Sequence, residues 1–356
     1  MAGKSRLARL NPWRIWRTLQ MVEPLREQTA RQHKQLLREL QAMRKASEDS
    51  RDRLDRALAE HEKTLAGLPE LRARVDRCLA VYQDDAHSAE RIAAVQATVD
   101  RDAIKAHVHR AVACARLERE PYPYVIVERL FPDDVFQTFV DALPDPVFFD
   151  KVAEQRDEMM VPFPFAPAYS RMVWRLFQDI VEQAMLPALL ETFRPALDEF
   201  IRSTWPSLGA FSESGITLRA ANSRLMLRRR GYVIKPHRDP RWSFLTALVY
   251  LAPRDAPNAF GTQLYRLRVE RDAGHSSPFW PEPAECELVR DVPGVGNTAL
   301  VFLNSTGAHG ATVPKNAPAD YLRYLYQARF SPDAASKARL IEMLEADAKQ
   351  RWVVAL

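Results

Sequence analysis

His237 and Asp239 stand two residues apart in the segment Gly231-Tyr-Val-Ile-Lys-Pro-His237-Arg-Asp239. On extended backbone, residues two apart point to the same face, so one imidazole and one carboxylate can reach a single ion. His-x-Asp pairs are common by chance, and a third ligand must come from elsewhere in the chain. His309, 72 residues further on in Asn304-Ser-Thr-Gly-Ala-His309, follows an apolar strand pattern over 298–302 and is the candidate. Two imidazoles and one carboxylate on one face of a metal leave neighbouring coordination positions open for other ligands. The remaining histidines read differently. His33, His61, His87, His107 and His109 fall in helical pattern and read as surface or helix-packing residues, and His275 reads as part of a surface loop. Arg238, Arg241 and Trp242 flank the His-x-Asp pair and are candidates for the substrate side.

A metal site of this kind needs a rigid frame. From about residue 216 short β-type runs follow one another at 216–228, 231–235, 243–251, 262–270, 285–292, 297–303 and 321–330. Such a succession, separated by turn residues, predicts a sandwich or jelly roll. Ahead of it lie a strand over 124–127, a helix from Pro132-Asp133-Asp134 to about Leu143, and a helical pattern over 170–204. Residues 144–170, with Pro162, Pro164 and Pro167, read as a loop that could form a lid. An amphipathic helix is predicted over roughly 333–348.

Residues 20–118 contain two prolines and one glycine, and their apolar residues recur at spacings of three and four, from Leu36 through Leu40, Met43, Leu54, Leu58, Leu65 and Leu68 to Val75, Leu79 and Tyr82. This is close to the seam of a coiled coil or a long helical hairpin, and it predicts a homo-oligomer. Pro69, after Gly67, is expected to break or kink the helix. A second helical pattern follows from Ile92 to Ala115. The composition changes at Glu120-Pro121-Tyr122-Pro123, where the domain boundary is placed. The chain then divides into a helical arm at 1–119, a β-rich domain at 120–335, and a C-terminal helix and tail at 336–356.

The chain has 356 residues, 47% hydrophobic and 27% charged, which excludes global disorder. No apolar run approaches a membrane span, and the N-terminus lacks the plan of a secretory signal. Cys78, Cys114 and Cys286 are far apart, which suits a reducing, cytoplasmic setting. Residues 1–45 hold eleven Lys/Arg against three acids, whereas the whole chain is only +5. The basic arm, with Trp13 and Trp16 among its arginines, suggests peripheral contact with an anionic surface. Arg228-Arg229-Arg230 hints at an anionic partner too, but without interleaved aromatics it does not make a nucleic-acid signature.

Two histidines and a carboxylate in this arrangement are the facial triad of non-haem Fe(II) oxygenases. Over about residues 121–330 the chain resembles the 2-oxoglutarate/Fe(II)-dependent oxygenase superfamily, particularly its prolyl-4-hydroxylase-like branch. Residues Tyr122 to Asp134 resemble the family's opening strand and helix, and Gly231 to Asp239 its iron-binding segment. Tyr250 resembles the tyrosine that contacts 2-oxoglutarate, Gly294 to His309 the approach to the distal histidine, and Arg323 to Phe330 the closing strand with the oxoglutarate-binding arginine. The chain departs from the family in three places. Arg323 follows His309 by 14 residues rather than about ten, Arg228 stands where a tyrosine is usual, and Gly261-Thr-Gln-Leu264 replaces Gly-Gly-x-Leu. Arg329 shares a strand face with Arg323 and is the alternative oxoglutarate ligand.

The resemblance implies an α+β protein whose catalytic domain is a double-stranded β-helix (jelly roll) with flanking helices, preceded by a long helical or coiled-coil region. It implies Fe(II) held by His237, Asp239 and His309, with 2-oxoglutarate as cosubstrate, O2, and ascorbate as an optional addition. Arg323 and Tyr250 would hold the cosubstrate. Turnover would release succinate and CO2 and hydroxylate an unidentified substrate, whether peptidyl or amino acid, glycan or small molecule. Related halogenases have no carboxylate at the position of Asp239, so its presence favours hydroxylation. Two other readings stand beside this one: a coiled-coil scaffold whose jelly roll binds a ligand without catalysis, and a zinc hydrolase or isomerase built on the same three ligands.

Overall fold

The computed structural model describes residues 12–84, 88–161, 166–252, 260–269, 277–344, 349 and 352, with side chains described from residue 33 onward except at 83 and 84. The chain divides into two units, residues 1–76 and 77–356. His87, His275, residues 162–165 of the expected lid, and the side chains of Trp13 and Trp16 lie outside the described residues.

The described residues of the first unit belong to a single helix, α1 (Pro12–Asp84). It runs on through Gly67-Leu68-Pro69 without ending, so neither a helical hairpin nor a break at Pro69 forms. A proline removes one helical hydrogen bond and crowds the carbonyl four residues back. That cost is local, and the good helix formers on either side outlast it. The residues spaced at three and four remain open along this helix: Leu36, Leu40, Met43, Leu54, Leu58 and Leu65 are each at least half exposed.

The second unit is a double-stranded β-helix. Eight antiparallel strands divide equally between two sheets, the chain crossing between them at every step except the β7–β8 hairpin: β4 (Leu218–Arg229), β5 (Val233–His237), β6 (Leu245–Tyr250), β7 (Thr262–Leu267), β8 (Cys286–Val292), β9 (Thr298–Leu303), β10 (Ala308–Thr312) and β11 (Leu322–Pro332). The small sheet has the order β5-β10-β7-β8. The large sheet adds β1 (Tyr124–Glu128), β2 (Asp150–Ala153) and β3 (Arg156–Met160) in the order β1-β9-β6-β11-β4-β3-β2. The expected jelly roll is thus present. It gains β2 and β3 from the segment read as loop, and β10 from the segment read as a turn.

Both faces of the large sheet are covered, which is why β6 and β9 are buried at every position. Leu248, Tyr250, Leu300 and Phe302 face the small sheet, and Ala247, Val249, Val301 and Leu303 face the helices. Those helices are α2 (Ser88–Thr98), α3 (Arg101–Ala113), α4 (Asp133–Asp141), α5 (Ala168–Ile180), α6 (Leu186–Thr192) and α7 (Arg194–Thr204), with α8 (Ala334–Glu342) after the last strand. The expected single helical stretch over 170–204 is divided by a π-helical turn over Val181–Met185 and by Pro187 and Pro195, each in the first turn of its helix.

The second unit begins well before the compositional change at residue 120. Ile104, Val108 and Val112, one turn apart on α3, are fully buried in its core. Composition marks where prolines and β-branched residues begin, but the apolar face of α3 packs on α5, α6 and the turn at 181–185 as part of this core. A chain starting at Arg77 is therefore expected to fold and melt cooperatively. A chain starting at Arg119 loses three buried aliphatic side chains, at about 1.5–3 kcal/mol each. That total is comparable to the whole stability of many domains, ~5–15 kcal/mol, so it should be insoluble or show no thermal transition. A cooperative melt from the shorter chain would refute the assignment of α3 to this core.

Candidate metal centre

The small sheet brings the distant histidines together. β10 lies between β5 and β7, and its register sets His309 opposite His237 on one side and Leu264 on the other. The two imidazole centroids are 4.2 Å apart. Asp239 follows the end of β5 and turns toward the large sheet, where its Oδ2 accepts from the Thr246 hydroxyl at 2.9 Å and its Oδ1 from the Arg329 guanidinium at 2.7 Å. One ligand atom from each of His237, Asp239 and His309 lies within 4.8 Å of the others, and all three residues are buried.

Each is in the form a cation needs. Burial alone would raise the Asp239 carboxyl, but Arg329, then His309 and His237, hold it down at about 2. Burial, with His237 beside it, pushes His309 down to about 3. Burial lowers His237 as well. At neutral pH the set is two neutral imidazoles and one carboxylate. His237 Nδ1 lies 3.0 Å from the Lys235 carbonyl. A carbonyl can only accept, so Nδ1 carries the proton and Nε2 keeps its lone pair for a metal.

Gly307 sets up the approach to His309. It has φ +70, and a Cβ there would overlap the Tyr122 ring and lie 2.8 Å from the Tyr265 carbonyl. Tyr122 in turn donates its hydroxyl to the Ala308 carbonyl at 3.2 Å. Gly307→Ala should therefore cost about 2 kcal/mol or more, through strain at a positive φ together with the overlap. It should also displace His309. Urea denaturation and metal titration of the variant would show this, and an unchanged metal affinity would show that the strand absorbs the overlap elsewhere.

The cavity beside the triad is lined by alternate residues of the large sheet. From β11 come Arg323, Leu325, Gln327 and Arg329, from β4 Arg224, Met226 and Arg228, and from β3 Arg156 and Glu158. Arg323 is 4% exposed. It donates to the Gly261 carbonyl at 2.9 Å and reaches Thr262 Oγ1 at 3.4 Å, and its Nε has no hydrogen-bond partner. No described carboxylate pairs with it. Arg329 is placed differently, against the Asp239 carboxylate, so the two candidate arginines serve different groups. Tyr250 stands behind Arg323, with the guanidinium over its ring at 5.6 Å and its hydroxyl 2.8 Å from Thr262 Oγ1. Thr262, not Tyr250, lines the cavity.

Arg238 and Trp242 do not line the cavity. Arg238 is buried and donates to the Ser305 carbonyl at 3.3 Å, while Trp242 packs on Trp205 and Trp352 in the core. Arg228 donates to Glu158 at 2.7 Å, in a cluster that also holds Arg156 and Arg224. Trp280 stacks on the His237 ring with centroids 4.7 Å apart. Its loop is held there by a two-way backbone pair between Arg238 and Phe279. The sequence signal for it was Phe279-Trp280 between two prolines, which reads as a loop with no stated target.

No protein-family model matches this chain, and no curated protein matches it. Solved structures resemble it weakly. The Streptomyces hygroscopicus protein HygX, with nickel, 2-oxoglutarate and hygromycin B bound, is 13% identical, with 59% of this chain and 83% of that one covered and a TM-score of 0.38. A Pseudomonas putida prolyl-4-hydroxylase is 15% identical, covering 64% of this chain and 98% of its own, at a TM-score of 0.34. The non-haem α-ketoglutarate-dependent epimerase SnoN of nogalamycin biosynthesis is 16% identical, with 64% and 81% covered and a TM-score of 0.39. At these scores the likeness adds nothing to what the strand order and the buried side chains say by themselves.

Proposed function

We propose that the chain is an Fe(II)- and 2-oxoglutarate-dependent oxygenase, most simply a hydroxylase. One observation carries the reading: a buried two-histidine, one-carboxylate set shares a cavity with a buried arginine, Arg323, that has no described carboxylate. A guanidinium matches a carboxylate in shape and charge, and Thr262 stands beside it as a hydroxyl donor. A metal site whose bound ligand carries a distant carboxylate uses both ends of this cavity. A scaffold has no need of either end, and a zinc hydrolase leaves Arg323 without a role.

Iron and 2-oxoglutarate, when bound, supply the oxidative decarboxylation that activates O2 for attack on a substrate. The chain's own residues do the rest. His237, Asp239 and His309 would hold the metal through one atom each. Arg329 and Thr246 occupy both oxygens of Asp239 and aim it, as outer-shell partners of metal ligands do. Arg323 and Thr262 would hold the far carboxylate of 2-oxoglutarate by a guanidinium and a hydroxyl. Trp280 and Phe302 flank the imidazoles and keep bulk water from one side. Anaerobic addition of Fe(II) and 2-oxoglutarate is expected to give a visible charge-transfer band, and oxygen should then release succinate slowly even without substrate. Folded, iron-loaded protein with neither band nor succinate would refute the reading.

We further propose that α1 pairs with α1 of a second copy. Its exposed leucines form one stripe at coiled-coil spacing with no described residue covering them, and association would bury them. Sedimentation should show the full chain as an oligomer and a chain from Arg77 as a monomer. A monomeric full chain would rule the pairing out. No helix among the described residues is long and apolar enough to cross a membrane.

A further inference from the structure

The inner face of the large sheet carries more positive charge than iron and oxoglutarate can use. Arg156, Arg228 and Arg323 stand in register across β3, β4 and β11. Like charges directly opposite one another weaken a sheet. Arg224 and Arg329 extend the set, so five arginines line the cavity, and among the described residues only Glu158 and Asp239 oppose them. Asp239 answers Arg329. Glu158 is shared: it accepts from Arg156 at 2.9 Å, Arg224 at 2.6 Å and Arg228 at 2.7 Å. A divalent metal and a dianionic oxo acid cancel each other, so the excess of three positive charges survives when both are bound.

This excess is placed rather than scattered. Arg228 is 3% exposed and is used up on Glu158 and on the Asp157 and Leu227 carbonyls. Arg224 and Arg156 are more open, with side chains 19% and 35% exposed. Arg224 gives Nε to Gln327 and one terminal nitrogen to Glu158, while Arg156 gives only Nε to Glu158. Their remaining N–H groups donate to no described residue. Glu158 therefore holds two guanidinium groups in position without neutralising them.

We propose that Arg156 and Arg224, held by Glu158, form an anion subsite that takes an acidic group of the substrate, a phosphate ester or a carboxylate, beside the metal. That the occupant is a substrate rests on the oxygenase reading, whereas the anion site rests on the arginines alone. The rival account is structural, with the Glu158 cluster serving only to pin β3 to β4.

Calorimetric titration of Fe(II)- and 2-oxoglutarate-loaded protein under argon separates these. The probes are phenyl phosphate and benzoate, with benzyl alcohol as the neutral control. At least one acid is expected to bind in a one-to-one ratio and the alcohol not to bind. Arg156→Gln and Arg224→Gln should each weaken the acid at least tenfold. Phenyl phosphate binding better marks a phosphate-ester substrate, and benzoate binding better marks a carboxylic acid. If neither acid outbinds the alcohol, or if both variants bind it as wild type does while melting earlier, the cluster is structural and the proposal falls. Arg156, being the more exposed, carries the test if Arg224→Gln does not fold. Oxoglutarate is titrated separately. If it fails to bind but acids still bind metal-loaded protein in an arginine-dependent way, the oxygenase reading falls and the anion subsite stands.

Discussion

Asp239→Ala should cost the protein twice, once in metal binding and once in the stability of the metal-free fold. The first loss is the removal of one of three ligands, and metal affinity and oxoglutarate turnover should fall by a factor on the order of 10³ or to nothing. The second loss is particular to this chain. Asp239 is the partner of Arg329 at 2.7 Å, with side chains 1% and 17% exposed. Removing one member of a buried pair leaves the other charge without compensation, at roughly 3–5 kcal/mol. Arg329 is not wholly buried, so the lower end applies. At about 2–4 °C per kcal/mol, Tm of the metal-free protein should fall by roughly 6–12 °C. His309→Ala makes the contrast. It should abolish metal binding equally, but it removes a neutral imidazole and leaves no charge stranded, so the metal-free melting point should move much less. The double variant Asp239→Ala/Arg329→Leu should recover most of the stability and none of the metal affinity. If Asp239→Ala melts with wild type while metal-free, the pair with Arg329 contributes nothing. If it still turns over oxoglutarate, Asp239 is not a ligand.

The parts of this site that were legible in the sequence were those encoded within a few residues. His237 and Asp239 announce themselves by type and spacing, and the strands β6 and β9 by unbroken apolar runs. The strand carrying His309 was not legible. Ala-His-Gly-Ala-Thr has no alternation and two of its residues are alanine. It is a strand because β5 and β7 hydrogen-bond it from both sides, and such neighbours lie far off in the chain.

The same reason hid β3. Arg-Asp-Glu-Met-Met beside a run of prolines reads as loop, since buried acids are costly without partners. The partners exist: Asp157 takes Arg229 at 2.8 Å, and Glu158 takes Arg224 and Arg228. They come from β4, about seventy positions later. Thr262 had a faint signal, as the residue replacing a glycine in the expected Gly-Gly-x-Leu. Its place next to Arg323 depends on the pairing of distant strands, which a local departure from a glycine pattern does not encode. Spacing could not separate Arg323 from Arg329 because both lie on one strand face. Register separates them, since Arg323 falls opposite Arg228 while Arg329 reaches Asp239.

Arg323→Gln should weaken 2-oxoglutarate about a hundredfold and at the same time make the ligand-free protein no less stable. The affinity argument is direct. A hydrogen-bonded charge on a buried carboxylate is worth ~1.5–3 kcal/mol, and a factor of a hundred is about 2.8 kcal/mol at ~1.4 per decade. The stability argument runs the other way. In the ligand-free protein Arg323 is a buried cation, opposite Arg228, with Nε unpaired and with the Gly261 carbonyl, Thr262 and the Tyr250 ring as its partners. Burial lowers its pKa, as expected for a charge removed from water. A neutral glutamine removes that desolvation cost and gives up two hydrogen bonds, one of them long at 3.4 Å. A residue that lowers fold stability yet is placed where a ligand's charge would relieve it is the mark of a binding site. Arg329→Gln should give the opposite profile, with the metal-free protein destabilised through Asp239 and metal affinity lowered. Its oxoglutarate affinity, measured at saturating metal, should change far less than in Arg323→Gln. Comparing oxoglutarate dissociation constants and metal-free melting points across the two variants tests both assignments together. If Arg329→Gln loses oxoglutarate and Arg323→Gln does not, the two arginines exchange roles and the cosubstrate lies the other way round in the cavity.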